Sequence, residues 1–101
     1  MAYEIELAKS TGEELKEIRV YDRRRIVDEI REQLKDEPIN ETRRRKILGQ
    51  VEAGFEHVAP LWELRVGDYR VFYDVDSSES KVYVRAIRRK EADQTTEEII
   101  K

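Results

Sequence analysis

The chain has 101 residues, the length of one domain, and 43% of them are charged, against roughly a quarter in typical domains. Cysteine is absent, which excludes disulfides and thiolate zinc sites and is typical of proteins from reducing compartments. No apolar run is long enough to span a membrane, and the N-terminus lacks the basic start and apolar stretch of a signal peptide. We therefore expect one domain over residues 1–101 in the cytoplasm, with no cofactor and no contact with a membrane.

Charge is distributed unevenly along the chain. The formal net charge is only -3, yet basic residues gather at Arg23–Arg25, at Arg43–Lys46 and between residues 85 and 90, and the tail from 91 to 98 carries only acidic charges. A domain that binds nucleic acid is usually basic, so such binding would require a local patch here. The alternative interpretation of each basic run is a solvated surface rich in ion pairs.

The N-terminal part of the sequence predicts a strand followed by a short helix. Apolar and acidic residues alternate from Tyr3 to Leu7, which predicts a half-buried strand over residues 3–8. Ser10 and Thr11 are each followed three positions later by a glutamate, and this capping-box spacing predicts the start of the helix.

A second helix is predicted to start at Asp22, because aspartate commonly caps helix N-termini. Ile26, Ile30 and Leu34 then recur every four positions, which places them on one face of the helix. Pro38 cannot continue the helix and marks its end. The two helices should therefore form a helical hairpin in the first part of the chain.

Residues 38–60 lack a clear period, and Thr42–Gln50 is expected to form a loop or a helical turn. The run Arg43–Lys46 would then lie beside the sheet, where mobile cations can reach a phosphate backbone. The single histidine, His57, falls in the same stretch, and histidine is a common proton-transfer residue in proteins, which makes His57 a candidate for that role. A lone histidine in a loop is more often structural.

The clearest pattern in the chain is Leu61–Asp76. Apolar residues alternate with polar ones on both sides of Gly67 and Asp68, which predicts two strands joined by a tight turn. One face of this hairpin should enter the core. The other face should expose Glu63, Arg65, Arg70, Phe72 and Asp74.

The rest of the chain predicts a polar turn at 77–80 and a last strand at 81–89. Thr95 or Thr96, followed by Glu98, predicts a short terminal helix or an ordered tail. The predicted order is β-α-α-β-β-β, an α+β fold in which an antiparallel sheet carries the N-terminal helical hairpin on one face. The opposite face is expected to be open and to carry the arginines.

The sequence contains few residues arranged for chemistry. Gly-rich phosphate loops and the motifs HExxH and GxSxG are absent. Asp74 and Asp76 have a spacing that could suit a divalent ion or paired acids, but solvated strand-end charges are more typical beside a turn, so we expect no metal site. Arg65, Arg70 and the basic group at 85–90 remain, and their guanidinium forks suit phosphate. The alternative is that each arginine pairs with a nearby carboxylate.

The segments LWELRVGDYRVFY at 61–73, VYVRAI at 82–87 and DRRRI at 22–26 resemble the RelE/ParE family of toxins from bacterial type II toxin-antitoxin systems. The resemblance covers nearly the whole chain in order and spacing. It implies a compact β-α-α-β-β-β toxin that an antitoxin wraps and neutralises, often in a complex that represses their shared operon. RelE-like members cleave mRNA in the ribosomal A site, whereas ParE-like members inhibit DNA gyrase.

The resemblance also implies roles for single residues. Arg70 matches the arginine that stabilises charge at the scissile phosphate, and Lys90 matches a second basic residue near the end of the last strand. Leu61 and Glu63 stand where RelE-like nucleases have two lysines that help activate the 2'-hydroxyl. Thr96 lies near the position of a family tyrosine.

By this comparison the chain keeps a phosphate clamp and lacks the family's proton-transfer groups, for which Tyr83 or His57 could substitute. The predicted catalytic set is Arg65, Arg70 and Lys90, with Arg89 as the alternative to Lys90. The residues predicted to bind RNA are Arg43, Arg44, Arg45, Lys46, Arg85, Arg88 and Arg89.

The resulting expectation is a toxin component of a type II toxin-antitoxin system that inhibits translation as a ribosome-dependent mRNA endoribonuclease. Its expected partners are a cognate antitoxin, the ribosome and mRNA. One alternative is a ParE-like gyrase inhibitor, which needs no acid-base pair. Another is a catalytically degenerate toxin that acts mainly as an antitoxin-binding partner. The acidic tail from Glu91 could compete with the antitoxin for the same arginines.

Overall fold

The computed structural model describes residues 2–101. Within that range the chain forms five strands and three helices. None of these helices is long and apolar enough to cross a membrane. In chain order the elements are β1 (Glu4–Leu7), α1 (Lys9–Lys16), α2 (Val20–Leu34), β2 (Arg45–Gly49), β3 (Leu61–Val66), β4 (Tyr69–Asp76), β5 (Lys81–Arg89) and α3 (Thr96–Ile99).

The strands form one sheet in the order β1-β5-β4-β3-β2. Pairing is antiparallel from β2 to β5, whereas β1 runs parallel to β5, with Ile5 beside Val82. The helices α1 and α2 carry the chain from β1 across one face of the sheet to its far edge, so that the first strand and the last can be neighbours. The predicted α+β fold is confirmed, with one parallel pair and one strand more than predicted.

The extra strand is β2, which occupies residues expected to form a loop or a helical turn. Lys46 lies opposite Glu63 and Ile47 opposite Trp62, and a bulge between Ile47 and Gly49 interrupts the pairing. The expectation for this stretch is wrong. A short edge strand that starts in a run of basic residues shows no alternation of its own, and its pairing with β3 decides its conformation.

The helices α1 and α2 pack on one face of the sheet, as predicted. Ile26, Ile30 and Leu34 of α2 are all buried in the main apolar cluster between helices and sheet. On the sheet side of this cluster the rings of Trp62 and Tyr73 stack, with centroids 6.2 Å apart. The four-residue spacing in α2 therefore identified its buried face correctly.

Both helix starts differ from the predicted ones. α1 begins at Lys9 and has no side-chain cap. Thr11 is buried instead, and its hydroxyl donates to the carbonyl oxygen of Val84 at 3.1 Å. α2 begins two residues before Asp22, which lies in the first turn rather than at the cap. The polar residue that suggested a cap for α1 therefore anchors this helix to β5.

The sheet face that points away from α1 and α2 is partly covered, so the expectation of an open face with an exposed Phe72 is wrong. Phe72 is fully buried. The loop before β3 and the helix α3 provide the cover, and the N–H of Gly54 donates to the carbonyl oxygen of Ile100 at 2.6 Å. The buried members of this second apolar cluster are Leu61, Phe72, Ala86, Ile99 and Ile100.

The predicted terminal helix is confirmed as α3. Thr95 is its N-cap and forms a capping box with Glu98. The hydroxyl oxygen of Thr95 accepts from the N–H of Glu98 at 3.3 Å, and the Glu98 carboxylate accepts from the N–H of Thr95 at 3.0 Å. These bonds fix the start of α3, which places Thr96 and Ile99 over the sheet.

The pH dependence of stability at Tyr73 tests whether the main apolar cluster excludes water from the tyrosine hydroxyl. Tyr73 is fully buried, and its hydroxyl donates to the carbonyl oxygen of Pro38 at 2.5 Å. Burial raises the pKa of Tyr73 well above its ordinary value. Above about pH 10 the unfolded chain ionises this tyrosine while the folded protein does not, so we expect the free energy of unfolding to fall by about 1.4 kcal/mol per pH unit from this residue.

Denaturant unfolding between about pH 8 and about pH 11 measures the effect. Tyr73→Phe should lose this part of the pH dependence, whereas Tyr21→Phe, at a position 77% exposed, should keep it. Identical slopes for Tyr73→Phe and the wild type would mean that Tyr73 ionises as readily in the folded protein as in the unfolded chain.

Candidate functional site

Three arginines from adjacent strands form a row on the sheet face that points away from α1 and α2. Arg65 of β3 lies opposite Arg70 of β4, and Arg70 lies opposite Arg88 of β5. We call these three residues the cationic row. Like charges directly opposite each other destabilise a strand pair, so the row is unfavourable unless carboxylates or a bound anion compensate it.

Arg70 is the centre of the cationic row and is only 8% exposed. Its Nη1 donates to the carbonyl oxygens of Gly67 and Tyr69, both at 2.9 Å. Burial, and after it the positive charge of Arg65, lower the pKa of Arg70, although an arginine stays protonated in a protein. Within residues 2–101 its Nε and Nη2 have no hydrogen-bond acceptor, so these donors remain for an anion.

The turn that holds Arg70 requires glycine at position 67. Gly67 has a φ of 57°, in the left-handed region that favours glycine. A Cβ at this position would also lie 2.9 Å from Nη1 of Arg25, which reaches the turn from α2. The absence of a side chain at Gly67 therefore allows a further arginine to approach this end of the sheet.

The two ends of the cationic row differ in how their charges are compensated. Arg88 forms an ion pair with Glu14 of α1, and its guanidinium carbon lies 5.6 Å from the ring centroid of Phe55. Burial lowers the pKa of Arg88. Arg65 is exposed and forms no ion pair with any of residues 2–101. An incoming anion would therefore meet Arg65 and Arg70 first.

Beside the cationic row lie the positions where the resemblance implies lysines and a tyrosine. Leu61 is fully buried in the second apolar cluster. Glu63 is 7% exposed, and its Oε2 accepts a hydrogen bond from Oγ1 of Thr96 at 2.9 Å. Lys46 is the cross-strand neighbour of Glu63. Reasoning from local patterns missed the contact between Glu63 and Thr96, because these residues lie 33 positions apart.

Lys90, the last member of the predicted catalytic set, lies at the same end of the sheet. Its N–H donates to the carbonyl oxygen of Asp68 at 2.7 Å, which ties the end of β5 to the turn between β3 and β4. Arg89 lies opposite Tyr69 and pairs with Glu91 at 3.3 Å. The choice between Lys90 and Arg89 stays a prediction.

The basic run at the start of β2 divides into surface and structural residues. Arg43 and Lys46 are exposed, and Arg44 pairs with a glutamate of α2 at 2.8 Å. Arg45 is buried, and its guanidinium donates to two backbone carbonyl oxygens at 2.5 and 2.9 Å. RNA binding by this run remains a prediction, and Arg45 has its donors engaged inside the protein.

Arg85, another predicted RNA-binding residue, forms an ion pair with Asp74 at 2.7 and 3.2 Å. Asp74 is 3% exposed and also accepts from the N–H of Val58, so its interpretation as a solvated strand-end charge is wrong. Asp76 accepts from the hydroxyl of Ser78, and this bond is the main cause that lowers the pKa of Asp76. Residues 2–101 contain no group of three side chains suited to hold a metal ion.

The two residues named as substitutes for the missing proton-transfer groups lie away from Arg70. Nδ1 of His57 is 3.3 Å from the carbonyl oxygen of Phe55. The guanidinium carbon of Arg85 lies 4.9 Å from the ring centroid of Tyr83. No hydrogen bond or ring contact within residues 2–101 joins His57 or Tyr83 to Arg65 or Arg70.

This architecture, a five-stranded sheet with α1 and α2 on one face, has the RelE-like fold. The fold is similar to the archaeal RelE–RelB complex from Pyrococcus horikoshii OT3, with a TM-score of 0.71 and 22% identity over 91% of this chain and 99% of that chain. It is similar to the toxin-antitoxin complex RelBE2 from Mycobacterium tuberculosis, with a TM-score of 0.68 and 21% identity over 89% and 100%. A free mutant of E. coli RelE gives a TM-score of 0.59 and 20% identity over 92% and 88%.

The sequence match is more specific than the fold. Residues 5–94 match the family described as ParE toxin of type II toxin-antitoxin system, parDE. Because this match spans most of the chain, the protein belongs to that family of toxins. No curated protein matches the sequence. The resemblance indicated by the hairpin motif is thereby confirmed at the level of the family.

Arg65 provides a test of the repulsion within the cationic row. Arg65→Gln should raise the free energy of unfolding by up to about 1 kcal/mol, because a like charge opposite Arg70 disappears. The gain should shrink with added salt, since an exposed charge is screened. Arg24→Gln, at an exposed position of α2, should stay within about 0.5 kcal/mol of the wild type.

Urea unfolding at low and at high ionic strength measures both effects. A destabilised Arg65→Gln variant would indicate that Glu63 or another carboxylate compensates Arg65 in solution, and would contradict the interpretation of Arg65 as uncompensated.

Proposed function

We propose that this toxin inhibits translation by cleaving mRNA on the ribosome. The observation that supports this most directly is the pair of Arg65 and Arg70, which lie directly opposite each other. One guanidinium is exposed without an ion pair among residues 2–101, and the other is held by turn carbonyls. Such a pair suits the oxygens of a phosphodiester. Lys90 would contact an adjoining phosphate from the end of β5.

In this proposal the arginines stabilise the transition state of phosphodiester cleavage. Attack by the ribose 2'-hydroxyl places additional negative charge on the oxygens around phosphorus. Donors that are already oriented stabilise that charge without reorganisation, and Arg70 is oriented by its bonds to Gly67 and Tyr69. Because arginine stays protonated, Arg70 supplies electrostatic stabilisation and no proton transfer.

Exposed cations beside the arginine pair would extend the contact with RNA. Arg43 precedes β2, and Lys46 lies within β2, next to the strand that carries Arg65. Contacts of such side chains with phosphates position an RNA without reading its sequence. The toxin would act as a single domain in the cytoplasm, where ribosomes and mRNA are found.

We also propose that a cognate antitoxin binds the chain. Two of the structurally similar proteins are RelE–RelB and RelBE2 complexes. A partner that places carboxylates over Arg65 would relieve its repulsion with Arg70 and block the phosphate site in the same step. The acidic residues from Glu91 onward would compete with such a partner.

Arg70→Ala should abolish growth arrest and mRNA cleavage when the chain is induced in a bacterial host. Loss of one oriented donor to a transition state typically lowers a rate about 100- to 1000-fold. The measurement is a map of new mRNA 5' ends in the first minutes after induction. Arg24→Ala, which removes an exposed arginine of α2, is the control for loss of one positive charge and should cut like the wild type.

Cuts inside translated frames that persist in Arg70→Ala would contradict this role of Arg70. Absence of arrest with folded wild-type protein in the host would contradict the nuclease altogether. That result would favour a degenerate toxin that serves mainly to bind its antitoxin.

Inhibition of DNA gyrase is the second candidate function. It is favoured by the ParE description of the matching family and by Leu61, which is buried and cannot transfer a proton. A gyrase inhibitor would act through a docking surface and need no acid-base pair. Purified protein should then block supercoiling by gyrase, and Arg70→Ala should still do so. Unimpaired supercoiling at high protein concentration would remove this candidate.

A further inference from the structure

A cavity of about 510 Å³ lies where the end of α1 and the start of α2 meet the turn between β3 and β4. We call it the turn cavity. Its floor is apolar, because the buried Ile26, Val66 and Ile87 line it together with the half-buried Ile18 and Tyr69. Sites for small ligands measure about 300–1,000 Å³ and combine such a floor with a few polar groups. The turn cavity therefore has the size and the floor of a ligand site.

The polar rim of the turn cavity contains both paired and unpaired charges. Arg19 pairs with Asp22 at 3.2 Å, Arg89 pairs with Glu91 at 3.3 Å, and Glu14 pairs with an arginine of the cationic row. The rim side chains that form no ion pair or side-chain hydrogen bond within residues 2–101 are Arg25, Glu17 and Asp68. A ligand of the turn cavity would therefore meet one free cation and two free carboxylates.

Arg25 connects the turn cavity to the cationic row. Its Nη1 lies 2.9 Å from the place that a Cβ on Gly67 would occupy. Nη1 of Arg70 donates to the carbonyl oxygen of the same glycine at 2.9 Å. Two guanidinium groups therefore approach one residue of the turn, Arg25 from the helix side of the sheet and Arg70 from the strand β4. A chain that carries successive phosphates could bind both.

We propose that the turn cavity binds one unpaired nucleotide of an RNA strand, next to the phosphate that the cationic row holds, an inference that rests on the proposed nuclease function. The phosphate of this nucleotide binds Arg25, and its base lies on the apolar floor against the ring of Tyr69. Unpaired RNA bases are commonly bound in this way, stacked on an aromatic side chain and hydrogen-bonded along their edges.

The charges of the rim favour a nucleotide over a peptide. An acidic peptide would pair with Arg25 but would be repelled by Glu17 and Asp68, and a basic peptide would meet the reverse problem. A nucleotide carries an anionic phosphate and the hydrogen-bond donors of its base on one unit. It can therefore satisfy the arginine and the carboxylates together.

The two free carboxylates also determine which bases fit. An ionised carboxylate only accepts hydrogen bonds. Cytosine presents an amino group on its edge, whereas uracil presents a carbonyl oxygen at the same position, and the two bases have nearly the same shape. We therefore expect the turn cavity to prefer a base with an amino group, such as cytosine, to uracil.

The test is the binding of short fluorescent oligocytidylate and oligouridylate to the purified full chain, measured by anisotropy at several salt concentrations. Arg25→Gln should raise the Kd for oligocytidylate about 10- to 100-fold, because charged hydrogen bonds to a phosphate are lost. The slope of log Kd against log salt should fall by about 0.7, the value for one phosphate contact on a single strand. Arg24→Gln, at the neighbouring exposed position of α2, is the matched control and should bind like the wild type.

Glu17→Gln tests the preference between bases. The wild type should bind oligocytidylate more tightly than oligouridylate. Glutamine can donate as well as accept, so the variant should lose most of this difference. Glu13→Gln removes an exposed carboxylate of α1 that lies outside the turn cavity, and it should keep the preference. Because Arg25 and Glu17 are exposed, their variants should fold like the wild type.

Several outcomes would overturn the proposal. RNA binding that is absent in the wild type, unchanged in Arg25→Gln, or weakened equally by Arg24→Gln would show that Arg25 holds no particular phosphate. Equal affinity of the wild type for the two oligonucleotides would show that the carboxylates read no base. Loss of antitoxin affinity in Arg25→Gln with unchanged RNA binding would assign the turn cavity to the protein partner.

Cleavage of mRNA on ribosomes by the wild type distinguishes this inference from the function on which it rests. Cleavage together with RNA binding that Arg25→Gln leaves unchanged overturns the nucleotide site and keeps the nuclease. Binding that depends on Arg25 and Glu17, without cleavage, supports the nucleotide site and overturns the nuclease. Cleavage together with such binding supports both.

Discussion

The register between β3 and β4 is the constraint on which the rest of the structure depends. With Gly67 in the left-handed conformation, the turn places Arg65 opposite Arg70 and directs Trp62 and Leu64 to the face covered by the helices. Side chains alternate between the two faces of a strand, so a slip by one residue would bury the arginines and expose the tryptophan. The same strand register therefore both buries the core residues and assembles the cationic row.

Several arginines of this highly charged chain are used within the fold. Arg45 donates to backbone carbonyl oxygens, Arg85 pairs with Asp74, and Arg88 pairs with a glutamate of α1. Arg65 is left without such a partner among residues 2–101, next to a partly buried Arg70. A basic protein surface would attract nucleic acid anywhere, whereas compensation of Arg45, Arg85 and Arg88 lowers the positive potential around those three residues.

The second apolar cluster explains how a carboxylate comes to lie beside the cationic row. Leu61 and Phe72 form an apolar patch on the face expected to be open, and α3 packs onto that patch. Packing of α3 brings Thr96 to Glu63 and shields the carboxylate from water. Leucine and glutamate stand where the resemblance implies two lysines. The leucine packs in the second apolar cluster, and the glutamate accepts a hydrogen bond from Thr96 of α3.

The sequence by itself determined the elements with a long and regular period, namely α2, the hairpin of β3 and β4, and β5, and the hairpin motif indicated the family. Only the tertiary structure decided β2, the cover over Phe72 and the contact between Glu63 and Thr96. The period of apolar residues predicts which face is buried only when one face of an element is exposed to solvent and the other is buried. Here both faces of the sheet are partly covered, so Phe72, which has charged neighbours along its own face, has the pattern of an exposed residue. A contact between residues 33 positions apart depends on where α3 packs, and no local pattern encodes that packing.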